Sequence, residues 1–149
     1  MKFFLKEILC LTIVFLLLDI VCVGLIKKKI YSILLEEIQG REIESRPFAK
    51  LLSYVVILFG LYYFVIKSTK RKFDIWNTLS FSLPYALTIY GVFNFRIVSM
   101  IKKWDYLIVF YDILWGCFIC SFSSIIVGLY RKYYKDDNQN IFSQNLFLN

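Results

Sequence analysis

The chain has 149 residues, 59% hydrophobic and 19% charged, with a formal net charge of +7. Its apolar residues come in long unbroken runs parted by short basic clusters, which leaves no segment able to set an apolar face against a polar one and excludes a separate soluble core. The 18 Lys and Arg residues gather at the ends of those runs, where long cations snorkel to anionic head groups; this argues against a nucleic-acid partner and for the lipid bilayer.

The expected fold class is an all-α membrane protein: a four-helix transmembrane bundle forming one domain over residues 1–135. A short interfacial amphipathic helix should follow the first span. The first span is expected from Ile8 to Ile26. The start, Met1-Lys-Phe-Phe-Leu-Lys6, imitates a signal peptide, but no small-residue cleavage site follows and Asp19 interrupts the apolar run, so it reads as a retained helix. Lys27-Lys28-Lys29 stops it. In the connection that follows, Ile30, Ile33, Leu34 and Ile38 recur at helical spacing against Glu36 and Glu37, with Gly40 as a natural stop. That pattern predicts a short helix on the membrane surface, its alternative being a solvated connector.

The second span runs from Phe48 to Ile66 and is closed by Lys67, Lys70, Arg71 and Lys72. A third is expected from Ile75 to about Ile101, kinked at Pro84. The fourth covers Tyr106 to Tyr130 and ends at Arg131-Lys132. Each has the roughly 20 residues that cross about 30 Å of hydrocarbon. Trp76, Trp104, Tyr106, Tyr130, Tyr133 and Tyr134 fall near span ends, where amphipathic rings favour the interface. Residues 136–149 read as a polar, disordered tail.

Four spans put both termini and the second connection on one side, A, and the other connections on side B. Basic residues divide evenly between the two sides. The short second connection is the more densely basic, which predicts cytoplasmic termini.

Asp19 and Asp112 lie inside apolar runs. A carboxylate at a helix centre costs about 2.5 to 3.5 kcal/mol on insertion scales, so such a residue usually faces a partner or a polar cavity. Counting from the span ends at 1.5 Å per residue, both sit about 9 to 11 Å below the B surface. Asn94 in the third span and Tyr54 in the second fall at a similar depth. One polar side chain from each helix therefore predicts a single intramembrane cluster. Tyr90 and Asn94 share a helix face, as do Asp112, Trp115 and Gly116. Gly24, Gly91 and Gly116 are expected to admit close helix approach, and Arg96 to bend back and ion-pair with an aspartate.

The expected binding cluster is thus Asp19, Asp112, Asn94, Tyr54, Tyr90, Arg96 and Trp115. Desolvation disfavours the charged carboxyl, which would couple protonation to transport. The leading expectation is binding or translocation of a proton, ion or small polar solute, with a homodimer thickening a thin-walled path. The alternative is a structural or assembly protein in which the cluster locks helix register. A third reading is a membrane enzyme acting on a lipid or thiol, with the acids as general acid and base. Cys117-Phe-Ile-Cys120 has the spacing of thiol–disulfide enzymes, yet it lies inside the fourth span away from any cation, where Cys is ordinary apolar filler. The chain has no His and no Gly-rich phosphate loop, and no cofactor or metal is expected.

Tyr90-Gly-Val-Phe-Asn-Phe-Arg-Ile-Val-Ser-Met-Ile-Lys-Lys-Trp104, followed by Asp112-Ile-Leu-Trp115-Gly116, resembles a family of small membrane proteins known as domain of unknown function 2177. Its usual pattern is Y-G-x-Y-D-x-T-N-x-A-x-x-K-x-W, then D-x-x-W-G eight residues after the Trp. Asp19 and Gly24 fit its first-helix pattern D-x-x-W-L-G. The resemblance covers nearly the whole chain and implies four helices in a membrane, with no activity attached. This chain departs at Asn94, where the family usually has Asp, and at Arg96 and Ile97, where it has Thr and Asn. Cys22 stands in place of a Trp and Asp105 in place of a Pro. The cysteines are not part of the family pattern.

Overall fold

A computed structural model of the chain describes residues 2–22, 40, 46–70 and 73–147, without the side chains of 2–3, 22 and 135–147. Four helices make up these residues: α1 (Lys2–Cys22), α2 (Pro47–Gly60, continuing through a π-helical turn, Leu61–Ile66), α3 (Ile75–Met100) and α4 (Tyr106–Phe147). No strand occurs among the described residues. The expected surface helix between the first two spans lies outside them, apart from Gly40, whose φ of 67° is the left-handed conformation that favours glycine.

The helix ends follow local chemistry. Pro47 opens α2 at its first turn, where a missing N–H costs nothing. Asp74 caps α3 by accepting the Asn77 N–H at 3.0 Å. We expect Asp74→Ala to cost about 1 kcal/mol, read as a lowered melting temperature in detergent. α3 continues through Pro84 without a break. α4 runs past Asp136 to Phe147, through the stretch expected as a disordered tail, because no Gly or Pro follows Gly128 to stop it.

Cross-helix contacts define an up-and-down order. The start of α1 meets the far end of α2 and the Arg131 region of α4, while Asp19 near the other end of α1 meets Tyr54 early in α2. Late α3 meets early α4 through Asn94 and Asp112, and early α3 meets mid α4 through Ser82 and Ser121. α3 packs most extensively on α4, which α1 also contacts.

Leu11, Phe15, Leu61, Val65, Ile66, Ala86, Ile119, Cys120 and Val127 form the apolar centre. Buried among and beside them are Glu7, Thr78, Ser82, Asn94, Asp112, Ser121, Ser123 and Ser124. The outer surface is apolar: Leu9, Ile13, Leu17 and Ile20 on α1, Phe48, Leu52, Val56 and Phe59 on α2, and Val92, Phe93 and Phe95 on α3 are all exposed. Polar groups inside and large apolar side chains outside suit hydrocarbon surroundings, since an apolar face of that extent would associate in water.

Pro47–Ile66 and Tyr106–Tyr134 are long and apolar enough to cross a membrane. The sequence pattern predicts four such spans; of the first, expected from Ile8 to Ile26, only the part up to Cys22 is among the described residues, and Ser, Thr, Asn, Pro and Arg dilute α3. Trp76, Tyr106 and Tyr133 are widely exposed near the ends of the apolar stretches, as interface residues should be. Trp104 differs, being only 6% exposed, because the turn whose Trp104 N–H bonds to the Ile101 carbonyl at 3.0 Å folds back on the helices.

Candidate functional site: two polar clusters at opposite ends of the helices

The expected polar residues meet as two helix-spanning pairs. Tyr54 on α2 donates its hydroxyl to the Asp19 carboxylate on α1. Asn94 on α3 donates through Nδ2 to Asp112 on α4 at 2.7 Å, and through the same nitrogen to the Tyr90 carbonyl at 2.9 Å. Both bonds follow from the shared depth of the four residues in antiparallel helices. Asn94 is fully buried and Asp112 nearly so, while Asp19 and Tyr54 are half-buried.

Tyr90 adjoins the second pair through its carbonyl, which accepts from Asn94. Its ring lies directly on the backbone of Gly116, where a Cβ would overlap ring atoms. Gly116 is thus the close approach that the sequence predicts. Gly91 is not, since a Cβ there would meet only side chains of its own helix at 3.9 Å. Gly24 lies outside the described residues.

Arg96 does not turn back to a carboxylate. Its side chain is exposed, and among the described residues it lines an outer hollow of α3 with Val92, Phe93 and Met100. Two residues from Asn94 is about 200° around a helix, so the cation emerges on the opposite face. Trp115 packs on Phe118 with ring centroids 5.4 Å apart. Its buried indole N–H has no hydrogen-bond acceptor. Asn94 Oδ1 is likewise buried without a donor. Asn94 thus pairs with the Asp112 carboxylate while its own carbonyl oxygen is unserved.

A second cluster occupies the other end. Glu7 is 0% exposed, yet it sits one turn inside α1. The Arg131 Nε donates to Glu7 Oε1 at 2.6 Å, the Tyr62 hydroxyl donates to Oε2 at 3.0 Å, and the Lys70 ammonium stands 3.7 Å from Oε2. Three helices are tied together here. The π turn contributes as well. Its wider ring pairs the Lys67 N–H with the Tyr62 carbonyl at 2.9 Å, five residues back, and the Ile66 carbonyl is left to accept from Arg131 Nη2 at 3.3 Å and from Thr69 Oγ1.

Sequence reasoning missed this cluster because acids and bases beside span ends read as solvated boundary residues. A signal was available. Glu7, Leu11 and Phe15 recur every four residues and are the most buried positions of α1, so Glu7 lies on the inward stripe that Asp19 continues.

Between the clusters, α4 presents Ser121, Ser123 and Ser124, all buried. Ser121 bonds Ser82 of α3 at 2.9 Å, and Ser124 donates to the Cys120 carbonyl at 2.7 Å. Cys120 is part of the apolar centre, and Cys10, Cys117 and Cys120 are free thiols. No group of three or more metal-ligating side chains occurs among the described residues.

An all-helical chain with an apolar exterior, two membrane-length helices and internal carboxylates is of the membrane-protein class. The model of the family described as predicted membrane protein (DUF2177) matches residues 4–129, and the chain belongs to that family. No curated protein and no solved structure is detectably similar to it.

Proposed function

We propose that this membrane protein binds and passes a proton or a small monovalent cation through the Asp19, Tyr54, Tyr90, Asn94 and Asp112 cluster. The carrying observation is the surplus of acceptors at Asn94, where a fully buried Oδ1 without a donor adjoins the Asp112 carboxylate. A buried carbonyl left unserved costs about 1 to 3 kcal/mol, and a proton donor or cation beside it removes that cost. In this reading all four helices cross the membrane, with both termini on the cytoplasmic side. Glu7 and Asp19 of α1 and Asn94 of α3 are tolerated because each meets a partner on another helix, while Arg96 of α3 reaches out along the exterior. The buried serines between Asp112 and Arg131 extend the polar surface from one cluster towards the other.

A second reading, a helix-register lock, is favoured by one observation: each pair joins two different helices, α1 to α2 and α3 to α4. The two readings separate in proteoliposomes loaded with a pH-sensitive dye and given a proton or potassium gradient. Translocation predicts that Asp112→Asn and Asp19→Asn lower flux at least tenfold while the melting temperature in detergent stays within a few degrees of wild type. Unchanged flux in both variants, or flux lost only in step with unfolding, would favour the lock.

A further inference from the structure

α1 and α2 touch each other at few points, and a groove of about 660 Å³ runs between them. That volume lies within the roughly 300 to 1,000 Å³ of ligand sites. Ile8, Leu11, Leu16, Val55 and Leu58 are among its walls. Along α1 it extends from Phe4 to Leu16, which at 1.5 Å per residue is about 18 Å. One leaflet of a bilayer has about 15 Å of hydrocarbon, so the groove has the reach of a single acyl chain.

The ends of the groove differ. Lys67 and Lys70 are the only charged residues that line it among those described, and both follow directly on the π turn that ends α2. Lys67 is held with its ammonium 4.5 Å from the Tyr63 ring centroid and pairs with no described carboxylate. Lys70 lies 5.6 Å from the Tyr62 ring and shares Glu7 with Arg131. Two cations thus share one buried carboxylate and Lys67 adds a third positive charge, leaving net positive charge at this mouth. At the other end the groove reaches Tyr54, the partner of Asp19.

From this charge complementarity and length we infer that the groove holds one anionic phospholipid, its phosphate at Lys67 and Lys70 and one acyl chain between α1 and α2. The chain would close the open flank of the Asp19–Tyr54 pair, which the protein itself leaves half-buried. Bulk lipid alone would wet the groove without regard to head-group charge. A seated lipid must discriminate.

The test uses the full chain purified in detergent, with dioleoyl phosphatidylglycerol and dioleoyl phosphatidylcholine as probes. Bound lipid is counted by native mass spectrometry, and melting temperature is followed during titration. The expected result is one phosphatidylglycerol per chain and a stabilisation of several degrees that phosphatidylcholine does not match. Lys67→Gln, an exposed change, should weaken retention at least fivefold. Val55→Trp, which fills the groove from an exposed wall position, should abolish it. Equal retention of the two lipids would overturn the inference. So would an undiminished preference in Val55→Trp, which would assign the effect to surface charge, or full stabilisation by glycerol 3-phosphate without an acyl chain.

Discussion

Replacing Arg131 with Met should cost about 3 to 5 kcal/mol, the largest loss expected from any single change in this chain. Glu7 is 0% exposed, and the guanidinium 2.6 Å away is its shortest polar contact. Removing that partner leaves a carboxylate in the apolar end of three helices, with Tyr62 at 3.0 Å and Lys70 at 3.7 Å to compensate. It also strips a donor from the Ile66 carbonyl that the π turn leaves to accept from outside the helix. Glu7→Leu alone should be costly for the complementary reason, a buried cation losing its anion. Made together, the two changes should recover most of the loss, because a buried ion pair and its apolar replacement are close in free energy. Thermal unfolding of the two single variants and the double variant in one detergent gives the coupling directly. Additive losses would mean that Arg131 and Glu7 do not act as a pair.

Gly116→Ala should be nearly as severe, about 3 kcal/mol, at the upper end of overpacking costs. A Cβ at 116 would overlap the Tyr90 ring. The ring cannot swing aside freely, since it is packed against the apolar centre and Asn94 holds the carbonyl of its residue. The clash therefore spreads to the pair that Tyr90 adjoins. A second change identifies the cause. Tyr90→Ala should relieve the overlap, so that Gly116→Ala on that background costs about 0.5 kcal/mol or less, measured by melting temperature. Equal losses on both backgrounds would mean that the close approach of Tyr90 to Gly116 is not what constrains the position.

The parts of this arrangement legible in the sequence were those set by one-dimensional counting. Helix ends followed from the basic cluster that closes the second span after Ile66 and from the Lys102-Lys103 break, each a local signal. The partnerships of Asp19 with Tyr54 and of Asn94 with Asp112 followed from depth, because antiparallel helices bring residues of equal depth to the same level. Depth says nothing of direction around the helix. Arg96 has nearly the right depth and the wrong phase, and it points outward. Phase was equally decisive at Glu7, whose inward stripe with Leu11 and Phe15 outweighs its place at a span end. Gly60 and Gly128, which lie against Tyr85 and Phe73 as Gly116 lies against Tyr90, could not be singled out, since their partners come from other segments of the chain at distances no local pattern encodes.

The π turn at Leu61–Ile66 gives α2 two independent clocks. Ahead of it, the helix is timed so that Tyr54 reaches Asp19; beyond it, the turn that leaves Ile66 in its reset direction brings Lys70 to Glu7. An α-helix advances about 100° per residue, so losing one residue within the turn would restore a regular helix and swing the Lys67–Lys70 end by about that angle. Tyr54 would keep its place. Insertions and deletions in this short stretch are therefore a route by which the basic end of the molecule can diversify while the carboxylate pairs at the opposite end stay fixed.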